Sequence, residues 1–327
     1  MFSRRQQANT KINADTANSQ AAVAERIGVS SRELIGLRQA GAALPLNAVK
    51  ALTRVSGNTL SRLKGRGMEF DEARPYASGD DVRNLDWRVT ARTGKPHTKL
   101  FREERERSIL LWVDYRAPMH FATRGSFKSV LAARAAAMLA WSVIQHSDRL
   151  GGLIFSEDSH LELRPKRGKK AALDFIHNLC SGFPQQPPIS EQSAQQEAIS
   201  HALARLRRVT RPGSLLFLLS DFRGLDETAE SHLVQLAKHN ELVLLFLHDR
   251  LEQELPSAGW YRLSNGAHSI SVNTGSPKAR QAHIHNFQAH EQRLQHLCRR
   301  TGMHLLSCAT DEDLLAVLQR GLGGRIA

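Results

Sequence analysis

Residues Ile109–Phe155 read ILLWVDYRAPMHFATRGSFKSVLAARAAAMLAWSVIQHSDRLGGLIF. The stretch opens on an unbroken apolar run, Ile109 to Val113, that stops at Asp114. A run so short and so wholly apolar reads as a strand buried on both faces. Phe127 to Gln145 follows, Ala-rich and long enough for several helical turns. Leu150 to Phe155 is a second apolar strand. Strand, helix and strand in this order make a crossover unit, which pairs its strands in parallel.

The alternation continues outward. Leu161-Glu162-Leu163 reads as a hairpin return of the second strand, and Lys170–Leu179 and Gln195–Arg208 as helices. Leu215–Leu219 and Leu242–Leu247 are strands on either side of a helix at Thr228–His239. Trp260–Val272 alternates around Asn265-Gly266, a β-hairpin signature. Pro277–Arg300 reads as a long helix, His304–Leu306 as a strand and Asp311–Leu318 as the last helix. The pattern predicts an α/β fold with a doubly wound, mostly parallel sheet. Upstream, Ser31–Ala40 reads as a helix with Ser30 and Glu33 at capping-box spacing, and Leu46–Leu63 as a weaker one. The expected domains are a poorly ordered polar tail at 1–28, N-terminal helices with a charged block at 29–107, and the α/β domain at 108–322.

With 327 residues, 41% of them hydrophobic, the chain can bury one sizeable core and a smaller appendage. Its apolar runs are of strand length, well short of the roughly 20 residues a spanning helix needs. The N-terminus has no apolar leader core, so the expected location is the cytoplasm. Cys180, Cys298 and Cys308 are widely spaced and are expected to be reduced thiols. The net charge of +13 is uneven: residues 1–66 hold 11 Lys and Arg against 3 Asp and Glu. A solvated basic face is the plainest reading of that excess. The alternative is a polyanion site for nucleic acid or an anionic membrane surface. Stacking aromatics, which single-strand binders use, do not accompany these basic residues.

The stretch Arg66–Arg92 reads RGMEFDEARPYASGDDVRNLDWRVTAR. Both charge signs crowd around three aromatics there, which argues for a folded, ion-paired block rather than a tail. Ala77-Ser78-Gly79-Asp80 is a turn. The pattern carried by Gly67, Glu69, Phe70, Arg74, Tyr76, Gly79, Asp80, Asp81, Arg83, Asp86, Trp87, Ala91 and Arg92 resembles the signature of the domain of unknown function 58 family. The likeness runs on through KLFREERERSILLWVD and TRGSFKSVLAARAA to Ser220-Asp221-Phe222. It implies a von Willebrand factor A-like domain and a working association with a MoxR-type AAA+ ATPase. Within the block, Trp87 is expected to be buried, and Arg74 or Arg83 to pair with a carboxylate.

The implied topology sets the first strand of the domain beside the fourth, so Asp114 and Asp221 would meet at a switch point, where such sheets bind ligands. A-like domains place a metal-ion-dependent adhesion site there, with two serines after the first aspartate. Here the loop reads Asp114-Tyr115-Arg116-Ala117-Pro118. Arg116 is a fixed cation and Pro118 offers no side-chain oxygen, so the site reads as degenerate, with Arg116 paired to Asp114, Asp221 or both. Weak Mg²⁺ at Asp114 and Asp221 with waters is the minority alternative, and plain loop capping by the two aspartates is another.

Other constellations are thin. His283, His285 and His290 lack a metal-binding spacing and read as helix surface, with positions 283 and 290 aligned two turns apart. No nucleophile elbow or Walker loop is present. The expectation is therefore a non-enzymatic adaptor without a cofactor. It would act with the ATPase on a client protein, with nucleic acid disfavoured and peripheral membrane contact left open.

Overall fold

The computed structural model describes residues 26–46, 68–78, 80–103, 107–184, 191–264 and 269–323. Most of the tail, the helix expected at Leu46–Leu63 beyond Leu46 itself, Gly79 and the Asn265-Gly266 turn lie outside them. The chain divides into two units: Met1–Arg54 with Arg107–Ala327, and Val55–Glu106.

The larger unit is built on six strands: β3 (Ser108–Asp114), β4 (Arg149–Phe155), β5 (His160–Lys166), β6 (Leu215–Ser220), β7 (Glu241–His248) and β10 (His304–Ala309). Their order across the sheet is β10-β7-β6-β3-β4-β5, parallel throughout except for β5. Alternation along each strand splits the core in two. Ile109, Leu111 and Val113 join Phe217 and Leu245 under helices α4 (Lys128–Gln145), α5 (Gly168–Ser181) and α10 (Leu314–Gly323). Leu110 and Trp112 join Leu218 and Phe246 under α6 (Gln192–Val209), α7 (Glu227–Ala237) and α9 (Pro277–Thr301). The sequence therefore gives uniformly apolar strands because both faces are covered. The polar edge strand β5 is the exception, and it is mostly exposed. Gly152 belongs to this close packing: a Cβ there would lie 2.2 Å from the Leu111 carbonyl oxygen, so the β3–β4 contact excludes a side chain.

The N-terminal helices depart from the expected grouping with the charged block. Ser31–Ala40 is broken into α1 (Ser31–Gly36) and α2 (Arg38–Ala42), and both belong to the sheet unit. Leu34, Leu44 and Leu46 are buried in the first core. Trp141 Nε1 donates to the Leu34 carbonyl at 3.2 Å. At Gly41 a Cβ would come within 2.5 Å of the Met138 carbonyl oxygen, a measure of how closely α2 lies on α4. Ser30 caps α1, but the Glu33 carboxylate pairs with Arg134 at 2.6 Å.

The smaller unit is a two-stranded antiparallel ribbon, β1 (Met68–Pro75) with β2 (His97–Glu103). Between them come a 3-10 turn (Val82–Asn84) and helix α3 (Trp87–Thr93). Back in the sheet unit, α8 (Arg250–Gln253) follows β7, and β8 (Trp260–Ser264) pairs with β9 (Ser269–Asn273) as the expected hairpin. No helix among the described residues is long and apolar enough to cross a membrane.

Candidate functional site

β3 and β6 are neighbours, and the chain leaves them toward opposite faces, through α4 and α7. Their carboxyl ends bring Asp114 and Asp221 together, as the topology argument requires. Asp114 is fully buried and held by four donors. The Arg116 amide donates to Oδ1 at 2.9 Å, Arg116 Nε to Oδ1 at 3.0 Å, Arg116 Nη2 to Oδ2 at 2.6 Å and Ser220 Oγ to Oδ2 at 2.6 Å. Arg116, also fully buried, sends Nη1 to the carbonyls of Gln195 (2.8 Å) and Arg223 (3.0 Å). Its Nη2 lies 3.9 Å from Asp221. Burial works against the guanidinium charge, but Asp114 outweighs it and the pKa of Arg116 rises.

A residue the sequence reading passed over completes the centre. Lys128, first residue of α4, is fully buried, and its ammonium donates to Asp221 at 2.8 Å and Glu252 at 2.7 Å. Burial raises the pKa of Asp221, but Lys128, Arg116 and Arg223 overcome it, and the carboxyl is held far below the usual carboxylate range. Glu252 is oriented by its own capping box, Asp249 N–H donating to Oε2 at 2.9 Å. Arg223, half exposed, reaches Glu252 at 3.1 Å. Three carboxylates thus face three cations. Two signals for Lys128 and Glu252 were in the sequence. A lysine at the positive end of an Ala-rich helix opposes the helix dipole unless local carboxylates hold it. Asp249-x-x-Glu252 has capping spacing.

The turn that aims Asp221 is strained. Phe222 is fully buried at φ +52, in the left-handed region, where a non-glycine residue costs about 1–3 kcal/mol. The Ser220 hydroxyl accepts from its amide at 2.8 Å. Beside this turn lies a cavity of about 350 Å³. Its walls include Gln192, Arg223, Glu252, His283, Phe287 and His290. The two histidines donate from Nε2 to the carbonyls of Leu251 (2.8 Å) and Asp221 (2.9 Å). Positions 283 and 290 do share a face, and that face lines the cavity.

The donors a divalent cation needs are already committed here: both Asp114 oxygens to Arg116 and Ser220, and those of Asp221 to Lys128 and the Arg223 amide. Pro118 lies in the short 3-10 turn Ala117–Met119. The residues present do not fit an octahedral metal site. Cys298 and Cys308 are buried thiols, and burial pushes their pKa up to about 12.

The charged block meets the ion-pair expectation at Arg74 and departs from it at Trp87. Arg74 pairs with Asp80 at 2.6 Å, and Asp80 also accepts from the Ala77 amide at 2.9 Å. Asp81 accepts from the Arg83 amide, and Asp86 caps α3 through the amides of Arg88 and Val89. Asp80, Asp81 and Asp86 each accept from a backbone amide. Arg83 and Arg92 are exposed, as is Tyr76 in part. Of Glu69 and Phe70 only the strand placement is described. Trp87 is the clear correction: it is 72% exposed, at the first position of α3 after the Asp86 cap. Trp87→Ala should consequently change stability by no more than about 0.5 kcal/mol in urea unfolding.

The model of the family described as protein of unknown function DUF58 matches residues 72–293. The chain belongs to the DUF58 family. Uncharacterized proteins of Mycobacterium bovis and Mycobacterium tuberculosis are 30% identical to it over 270 residues, 82% of this chain and 83% of theirs. The DUF58 chain also has likenesses among solved structures. BatB from Bacteroides thetaiotaomicron, a conserved hypothetical protein, aligns at 14% identity and TM-score 0.40 over 66% of this chain and 97% of its own. An aerotolerance-related membrane protein from Bacteroides fragilis aligns at 12% and 0.42, over 66% and 98%.

Proposed function

We propose that this DUF58 protein is a non-enzymatic protein-interaction module of von Willebrand factor A-like topology. Its binding edge is the carboxyl end of the sheet, and its adhesion site is degenerate, with Lys128 and Arg116 in place of a metal ion. The observation that carries the reading is the closed set of ion pairs joining Asp114, Asp221 and Glu252 to Arg116 and Lys128, with the 350 Å³ cavity open beside it. Such a centre fixes the edge rigidly and leaves Arg223 as its half-exposed cation, the residue type that anchors protein interfaces. The family resemblance supports the partner class: a MoxR-type AAA+ ATPase, for which this cytoplasmic chain serves as adaptor toward a client in remodelling or assembly.

The test is direct binding of the purified chain to the MoxR-type ATPase of the same genome, followed by calorimetry at two salt concentrations. Saturable binding that varies little with salt, and that Arg223→Glu weakens at least about tenfold, is the expected result. Absence of binding at either concentration would remove the adaptor reading. Capture of oligonucleotide or anionic vesicles instead, falling steeply with salt, would favour a polyanion function of the basic N-terminal region.

A further inference from the structure

The far end of the β1–β2 ribbon, opposite the point where the chain enters and leaves it, carries a group of exposed side chains. Asp86 is nearly buried, caps α3 and anchors it to β2 through its own amide, which donates to the His97 carbonyl at 2.8 Å. The His97 amide donates to Thr90 Oγ1 at 3.0 Å, so Thr90 marks the side of α3 turned to the ribbon. Trp87 with Ala91 and Arg88 with Arg92 are i,i+4 pairs, and all four are exposed. Val82, 64% exposed, precedes Arg83, also exposed.

Charge at this tip is divided by direction. Asp80 is held by Arg74 and the Ala77 amide, and Asp86 by the helix amides. Arg83, Arg88 and Arg92 have no ion-pair partner among the described residues. Asp80 and Asp86 therefore organise the tip from within, while three guanidiniums and a tryptophan are left to solvent beside the exposed Asp81. Arg and Trp are the residues most enriched at the energetic centres of protein interfaces. A large aromatic left exposed after a fixed cap is poised to lose water against something else.

We propose that this tip is a docking surface for an acidic segment of a protein partner. Trp87 and Val82 lie against an apolar side chain of that segment, and Arg83, Arg88 and Arg92 pair with its Asp and Glu carboxylates. A nucleic acid fits less well. Residues 67–107 hold 9 Lys and Arg against 9 Asp and Glu, so this stretch carries no net charge to draw a polyanion. The helix spans only about 10 Å and offers one tryptophan rather than a series of stacking rings. This inference is independent of the strand-edge reading.

The full chain, immobilised, is used to select from a phage-displayed library of random dodecapeptides. Selected peptides should be rich in Asp and Glu around an aliphatic or aromatic residue. The charge-reversed chain carrying Arg83→Glu, Arg88→Glu and Arg92→Glu should select Lys and Arg in their place. For a synthesised winner, Trp87→Ala should lower affinity at least about tenfold with an unchanged thermal melt, while Arg223→Glu should leave it unchanged. Failure to enrich any peptide, enrichment without acidic bias, or the same consensus from the charge-reversed chain overturns the proposal. So does a Trp87→Ala melt lowered by several degrees, which would make Trp87 a packing residue. Saturable binding of a single-stranded oligonucleotide that needs Trp87, in the absence of acidic peptide binding, would replace it with a nucleic-acid surface.

Discussion

Lys128→Met should destabilise the protein by about 3–5 kcal/mol in urea unfolding, the range expected when one partner of a buried ion pair is removed. The methionine fills similar space, so the loss is electrostatic: Asp221 and Glu252, both buried, lose their shared ammonium donor. The pH profile separates this cause from poor packing. The folded-state pKa of Asp221 is depressed. A carboxyl of that kind contributes stability that is complete above its unfolded pKa of about 3.9 and is lost as pH falls through the lower folded value. The parent should hold this contribution down to about pH 4. In the variant Asp221 takes up its proton at higher pH, so the difference between the two chains should be largest near neutrality and shrink on acidification. A pH-independent difference would indicate a packing defect. Replacing the whole set with neutral groups, Lys128→Met with Asp221→Asn and Glu252→Gln, should recover part of the loss, because no unpaired charge then remains buried.

Legibility in the sequence followed the kind of interaction. β3, β6 and β7 could be read because strands covered on both faces are wholly apolar, and Asp114 and Asp221 could be paired because topology fixes strand ends. Lys128 escaped because burial of a lysine depends on two carboxylates that arrive from 93 and 124 residues further along the chain. Trp87 misled for a related reason. A tryptophan is buried more often than not, but this one stands at the first position of α3 after the Asp86 cap, and only three-dimensional placement tells which side of α3 meets the ribbon. Helices α1 and α2 were grouped with the charged block by proximity in sequence, whereas Leu34, Leu44 and Leu46 reach the core under α4. The polar cavity wall at His283 and His290 was visible as a shared helix face, but not as a lining.

Titration with Mg²⁺ or Mn²⁺ should reveal no saturable site at Asp114 and Asp221, and a chelator should leave the thermal melt where it was. Two like unit charges at 4 Å repel by about 4 kcal/mol at an effective dielectric near 20, and a divalent ion doubles that against each fixed cation. Arg116 and Lys128 are both such cations, and each is in direct contact with one of the two aspartates. Arg116→Ser with Pro118→Ser supplies hydroxyl ligands in the first loop but leaves the Lys128 ammonium on Asp221. That double variant should remain blind to metal. Adding Lys128→Ser removes the second buried cation and leaves Asp221 and Glu252 with the half-exposed Arg223. The triple variant should bind Mg²⁺ at least about a hundredfold more tightly than the parent, a change of about 2.7 kcal/mol, and Asp221→Asn in that background should abolish the gain. Micromolar binding by the parent that disappears in Asp114→Ala would overturn the idea that built-in cations replace the metal. If the triple variant folds cooperatively yet binds no better than the double, the backbone of the Asp114–Pro118 loop, and not the charge of Lys128, is what excludes the ion.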